Sequence, residues 1–132
     1  MWGVRAILAE ATKGVLVLLE PDDSVRDALL TLLQGQGWAI EVAAEESALG
    51  KLLDGVRVTA VISEASLPAS QAADILRTCS QRQVPLVFTG HDLPVQAAVD
   101  LIRQGASDYL EKPFSHKRLI DLLNQLSNRH NN

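Results

Sequence analysis

The stretch Val58-Thr59-Ala60-Val61-Ile62-Ser63-Glu64-Ala65-Ser66-Leu67-Pro68 constrains this chain more than any other. It opens as a β-branched apolar run, too short for a helix and apolar on both faces. That is the pattern of a central strand in a parallel sheet. The run stops at Ser63-Glu64, and Pro68 forbids a ladder beyond it. A carboxylate is therefore offered at the carboxyl end of a buried strand, where open α/β sheets place functional groups. Acids also end strands because loops are wet, so Glu64 takes its meaning from its neighbours.

Those neighbours repeat the pattern. Val15-Leu16-Val17-Leu18-Leu19 is a second buried strand, and it too ends on an acid, Glu20. Pro21-Asp22-Asp23-Ser24 follows, with Asp23 or Ser24 able to cap a helix that runs to about Gln34. Its apolar stripe is Val25, Ala28, Leu29, Leu32 and Leu33, and Gly35 and Gly37 end it. Trp38 to Val42 alternates and reads as a strand nearer an edge, followed by a short helix from Glu45 to Leu53. Beyond the central strand, Ser70 to Gln81 is helical, with Ala73, Ile75, Leu76 and Cys79 apolar. Leu86-Val87-Phe88-Thr89 is the next strand. Pro94 then stands in the first turn of a helix to Gln104, for which the spacing turns Val95, Ala98, Val99 and Ile102 inward. Asp108-Tyr109-Leu110 is a short strand before Glu111-Lys112-Pro113-Phe114. Ser115 caps a last helix carrying Leu119, Leu122, Leu123 and Leu126 on one face.

Five strands alternating with five helices across short loops predict a doubly wound five-stranded parallel sheet, (βα)5, covered on both faces. At 132 residues this is one domain. Residues 15–127 make up that domain, 1–14 an N-terminal extension with weak amphipathic pattern, and 128–132 a polar tail or linker stub. The core is aliphatic, since 47% of residues are hydrophobic but only 4% aromatic. Twelve basic against sixteen acidic residues give a net charge of −4. No basic run exceeds His116-Lys117-Arg118, which argues against direct nucleic-acid binding. A lone Cys79 excludes a disulfide framework and a multi-thiolate zinc site. No apolar run near the N-terminus is long enough for a membrane span, and the expected location is the cytoplasm.

Glu20, Glu64, Thr89-Gly90 and Lys112 all fall at strand ends on one edge of such a sheet. Two carboxylates and an ammonium there suit cation or phosphoryl chemistry. There is no glycine-rich phosphate cradle, nucleophile elbow or metal-binding histidine pair. His91, His116 and His130 are scattered and read as surface residues.

The chain from about Val15 to Leu126 resembles the receiver domain of bacterial two-component response regulators, whose fold is flavodoxin-like or CheY-like. The resemblance is carried by Glu20-Pro21-Asp22-Asp23-Ser24-Val25-Arg26, by Val61-Ile62-Ser63-Glu64 with Leu67-Pro68, and by Gly105-Ala106-Ser107-Asp108-Tyr109-Leu110-Glu111-Lys112-Pro113-Phe114. Phe88-Thr89-Gly90-His91-Asp92-Leu93-Pro94 is similar to the FixJ-type receivers that carry helix-turn-helix DNA-binding domains.

The resemblance implies a signalling domain rather than an enzyme. In the family, a histidine kinase passes a phosphoryl group to an aspartate at the end of the third strand. Two acids after the first strand hold Mg²⁺, and a Thr or Ser and a Lys contact the phosphoryl oxygens. Here the phosphoacceptor position is Glu64, and the first metal acid is Glu20. The second is Pro21, which has no side-chain ligand, leaving Asp22 as the only other nearby acid. The Thr position falls on Thr89 by motif and on Gly90 by counting back without gaps from Lys112. Lys112 precedes Pro113, whose peptide bond is typically cis in the family. The switch aromatic is Tyr109.

These departures have physical consequences. Mg²⁺ demands near-octahedral oxygen ligands, and Pro21 both removes one and stiffens the backbone that offered it. Glu64 carries its carboxylate about 1.5 Å further out than Asp. In-line transfer loses roughly a hundredfold for a misplacement of about 1 Å. Together they imply a phosphorylation-independent pseudo-receiver with no cofactor, Mg²⁺ being disfavoured and Glu20 and Glu64 only weak metal candidates. Glu64 either acts as a standing substitute for the phosphoryl charge or merely neutralises Lys112 in a relic pocket. Partners would be a histidine kinase or output domain, or a second copy through residues 94–104, 108–110 and 115–127, with Ala97, Leu101 and Ile120 as contact residues. One alternative is a Mg²⁺-dependent receiver that uses Asp22 for metal and Glu64, Ser63 or Ser66 as acceptor, controlling an attached or partner DNA-binding output domain. An unrelated flavodoxin-like nucleotide binder is a third reading, and it lacks a phosphate loop.

Overall fold

The computed structural model describes residues 13–65 and 69–131. Five parallel strands, β1 (Gly14–Leu19), β2 (Trp38–Val42), β3 (Ala60–Glu64), β4 (Leu86–Gly90) and β5 (Asp108–Glu111), form one sheet in the order β2-β1-β3-β4-β5. The β-branched run of β3 lies at its centre and alternating β2 at its edge, as the burial patterns required. Helices α1 (Asp23–Gly35), α2 (Leu49–Gly55), α3 (Ala69–Gln81), α4 (Val95–Arg103) and α5 (His116–Asn131) make the crossovers. A 3₁₀ turn, Glu46–Ala48, replaces the first part of the second helix expected from Glu45.

Alternation along the strands divides the core in two. Leu16, Leu18, Ile62, Val87 and Leu110 point to one face and pack with Leu29 and Leu33 of α1 and Leu119, Leu123 and Leu126 of α5. Val15, Val17, Leu19, Val61 and Phe88 point to the other and pack with Leu49 and Leu53 of α2 and Ile75, Leu76 and Cys79 of α3. Burial on both faces is what makes the inner strands read as unbroken apolar runs.

Several helical details differ from expectation. Asp22, not Asp23 or Ser24, caps α1, its Oδ1 accepting the Val25 N–H at 3.0 Å. Asp23 instead pairs with Arg26 one turn on. In α1, Ala28 is exposed and Leu30 packs against the core; in α3, Ala72 is buried and Ala73 exposed. In α1 the larger leucine fills the interface, whereas in α3 two alanines differ only in which way the helix turns them. Helix α4 is the larger correction. Val95 is 81% and Ile102 45% exposed, while Leu101 packs against the core. With Val95, Ala97, Ala98, Val99, Leu101 and Ile102 spread around nine residues, periodicity does not single out one face. Leu101 is therefore no free contact residue, and Ala97 and Ile120 are half-buried. Helix α5 continues through Asn131 rather than ending at Ser127. The N-terminal extension through residue 12 and the stretch Ser66-Leu67-Pro68 lie outside the described residues. Among the described residues no helix is long and apolar enough to cross a membrane.

Candidate functional site

Strand parity assembles the site. Leu16-Leu18-Glu20, Ala60-Ile62-Glu64, Val87-Thr89 and Leu110-Lys112 are each steps of two along successive strands, continuing the core row that faces α1 and α5. All four end side chains thus emerge on one side of the sheet at its carboxyl edge. The register pairs Glu64 with Thr89 and Gly90 with Glu111. Thr89, the hydroxyl-bearing residue, therefore lies beside Glu64, and Gly90 is one step further on. Thr89 is buried, and its carbonyl accepts the Ala65 N–H at 2.7 Å.

The Lys112 ammonium joins the two acids. It donates to Glu20 Oε1 at 2.6 Å and also to Glu64 Oε2. The other oxygen of each carboxylate is engaged too. Glu20 Oε2 accepts the Asp22 N–H at 3.0 Å, and Glu64 Oε1 accepts the Ala65 N–H at 3.0 Å. The side chains are only 2% (Glu20), 10% (Glu64) and 17% (Lys112) exposed, so this is a buried ion triad rather than a surface pair. Burial pulls the Lys112 pKa down, but the hydrogen bonds and charges of Glu20 and Glu64 outweigh it and leave the ammonium above the ordinary lysine value.

The remaining residues at this edge fall outside the triad. Asp22 contributes its backbone N–H, while its exposed carboxylate is committed to the helix cap. Pro21 is exposed and Arg26 reaches back to the Glu20 carbonyl at 3.1 Å. Ser63 is fully buried, and its hydroxyl donates to the Glu64 carbonyl at 3.2 Å, which removes it from any solvent-facing chemistry. Ser66 lies outside the described residues. The Lys112–Pro113 peptide is cis.

Tyr109 is half-buried and lies across β4. Its hydroxyl sits above Gly90, where an added Cβ would lie 2.6 Å from that oxygen and 3.0 Å from Cε1. The same hydroxyl donates to Glu111 Oε1 at 2.9 Å. Glu111 Oε2 accepts the Asp92 N–H at 2.8 Å, and Asp92 holds a left-handed φ of 58°. Burial first, then Glu111, raises the Tyr109 pKa; the Asp92 N–H and then the Tyr109 hydroxyl lower that of Glu111. Glu111 was not singled out by sequence, although its spacing of two from Tyr109 puts both on one face of β5. His91, Asp92 and Glu111 gather ligating atoms within 4.8 Å, all exposed.

Comparison with known proteins gives the family. The response regulator receiver domain family matches residues 16–124. The transcriptional regulatory protein FixJ of Bradyrhizobium diazoefficiens is 32% identical over 116 residues, covering 85% of this chain and 56% of that protein. The response regulator protein FleR of Pseudomonas aeruginosa is 36% identical over 112 residues, 82% of this chain and 23% of that protein. The chain thus spans about half, or less, of the length of these relatives. The crystal structure of full-length FixJ from B. japonicum superposes with a TM-score of 0.76 at 26% identity, covering 88% of this chain and 58% of that one. The chain belongs to the response regulator receiver domain family and is a receiver domain of two-component signalling.

Proposed function

We propose that this receiver works without phosphoryl transfer, as a pseudo-receiver whose pocket is held shut by its own ion triad and whose output is contact with other proteins. The observation that carries this reading is Lys112 bridging Glu20 and Glu64. A receiver needs open carboxylate oxygens for Mg²⁺ and an aspartate for the phosphoryl group. Here every oxygen of the two acids already accepts a hydrogen bond from within the chain. Pro21 supplies no ligand, and Asp22 is spent on the helix cap. The donor set therefore does not fit Mg²⁺, which would have to displace the ammonium and strip two backbone donors while keeping its own octahedral shell.

Glu64 places one negative charge at the acceptor position beside Thr89, where a phosphoaspartate would place nearly two. This supports a resting state biased toward the signalling arrangement. Exposed Val95 and Ile102 on α4 support protein contact, with a second copy or an output domain, across α4, β5 and α5. The reading is tested by titrating Mg²⁺ against backbone amide shifts of Glu20, Glu64 and Ala65. Small, non-saturating shifts are expected; saturable binding at sub-millimolar metal contradicts it.

A further inference from the structure

We infer that Glu111 is the positioning residue of Tyr109, a latch that fixes the aromatic and ties it to the loop between β4 and α4. The inference rests on the pseudo-receiver reading, because it explains how the state of the pocket is carried to the surface. The Glu111 carboxylate takes the Tyr109 hydroxyl on one oxygen and the Asp92 N–H on the other. One side chain thus bonds an aromatic on β5 and the loop leaving β4. The ring it holds rests on Gly90, which only a residue without Cβ allows.

Gly90 is also where the pocket is anchored, because its carbonyl accepts the Lys112 N–H at 2.7 Å. A continuous physical chain therefore runs from Glu20 and Glu64 through Lys112 to Gly90, on to Tyr109 and Glu111, and out to Asp92 ahead of α4. Tyr109 and Glu111 lie on the opposite face of β5 from Leu110 and Lys112. The latch is therefore a separate structure from the ion triad, and it can be broken without removing any carboxylate from the pocket. Rotamer choice at a half-buried tyrosine on an edge strand is otherwise open among staggered wells. A charge-assisted bond to its hydroxyl selects one.

The chain contains a single tyrosine, so ring-labelled tyrosine gives one signal that belongs to Tyr109 alone. In the wild-type protein the ring resonance should follow protonation of Glu111, with a midpoint below the ordinary glutamate value of 4.5. The other titratable groups near the carboxylate are His91 and Asp92 on the loop, Tyr109 itself, and Glu64, whose charge reaches Tyr109. The Glu111→Gln variant assigns the step, because it removes that carboxyl and leaves His91 and Asp92 in place. The variant Glu111→Gln should shift or split the neutral-pH ring resonance and abolish its acid step. An unchanged ring resonance with the acid step intact overturns the latch. Should Glu111→Gln not fold, Tyr109→Phe keeps it testable. Read on the Glu111 side-chain carboxyl carbon, removing the hydroxyl should raise the Glu111 midpoint toward the ordinary value of 4.5, and an unmoved midpoint overturns the latch as well. Failure of the pseudo-receiver reading looks different. It appears as phosphoryl labelling of the wild-type protein, and the Tyr109 spectra then still report on the latch by themselves.

Discussion

Lys112 Nζ lies 2.6 Å from Glu20 Oε1, across 92 residues of chain, and the same ammonium pairs with Glu64. The contact closes β1 against the exit of β5 over the end of β3, and it makes the lysine the only cation between two buried acids in the triad. Removing it should be costly. Breaking a buried ion pair typically costs about 3–5 kcal/mol because a charge is left uncompensated. The variant Lys112→Met should lose stability of about that size at pH 7 by denaturant unfolding. A loss well under about 1 kcal/mol would show that the triad is solvated.

The lysine's raised pKa makes stability depend on pH. Its contribution is fully present below the unfolded value of 10.5 and is lost as pH rises through the higher folded value. Buried Cys79 acts over a neighbouring window. Burial pushes its thiol from 9.0 up to about 12, so the unfolded thiol ionises first and stability falls between those limits. Native Cys79 should react with thiol reagents at pH 8 only at the rate of opening, and quickly once unfolded. Rapid native labelling would place the thiol at the surface.

Gly90 has no unusual φ that explains it; the ring of Tyr109 does. The change Gly90→Ala should destabilise by about 1–3 kcal/mol through overpacking. In a Tyr109→Ala background the same change should cost far less, a coupling that a double-mutant cycle reads directly. Equal costs in both backgrounds would remove Tyr109 as the cause.

Charge at Glu64 should matter beyond stability. The variant Glu64→Gln keeps volume and removes charge, and sedimentation should show self-association weakened about fivefold or more, the lower end of ordinary coupling between sites. Identical association in both proteins would make the pocket a relic.

Much of this was legible in the sequence because burial and parity act along single strands. The apolar runs of β1 and β3 and their abrupt acids located the carboxyl edge, and steps of two carried Glu20, Glu64, Thr89 and Lys112 to one side of it. The motif pointed to Thr89 and counting back from Lys112 to Gly90, a difference of loop length; the register sets Thr89 beside Glu64. Facing in α4 was not legible, because apolar residues occupy most of its circumference. The cap of α1 was misplaced by one or two residues, on Asp23 or Ser24, because short polar side chains run together there; Asp22 accepts the Val25 N–H and Asp23 pairs with Arg26. The tie from Glu111 to Asp92 joins residues nineteen apart through a loop conformation, which no local sequence pattern encodes.

A pocket with Pro21 in place of a metal acid and Glu64 at the position of the family's aspartate should not accept a phosphoryl group, and intact-mass analysis after incubation with acetyl phosphate and Mg²⁺ reads this without an intermediary. The wild-type protein should carry no adduct. Pro21→Asp or Glu64→Asp alone should leave it unlabelled, because each restores only one of the two missing elements, while the double variant should be labelled. A stoichiometric phosphoryl adduct on the wild-type chain would contradict the pseudo-receiver reading.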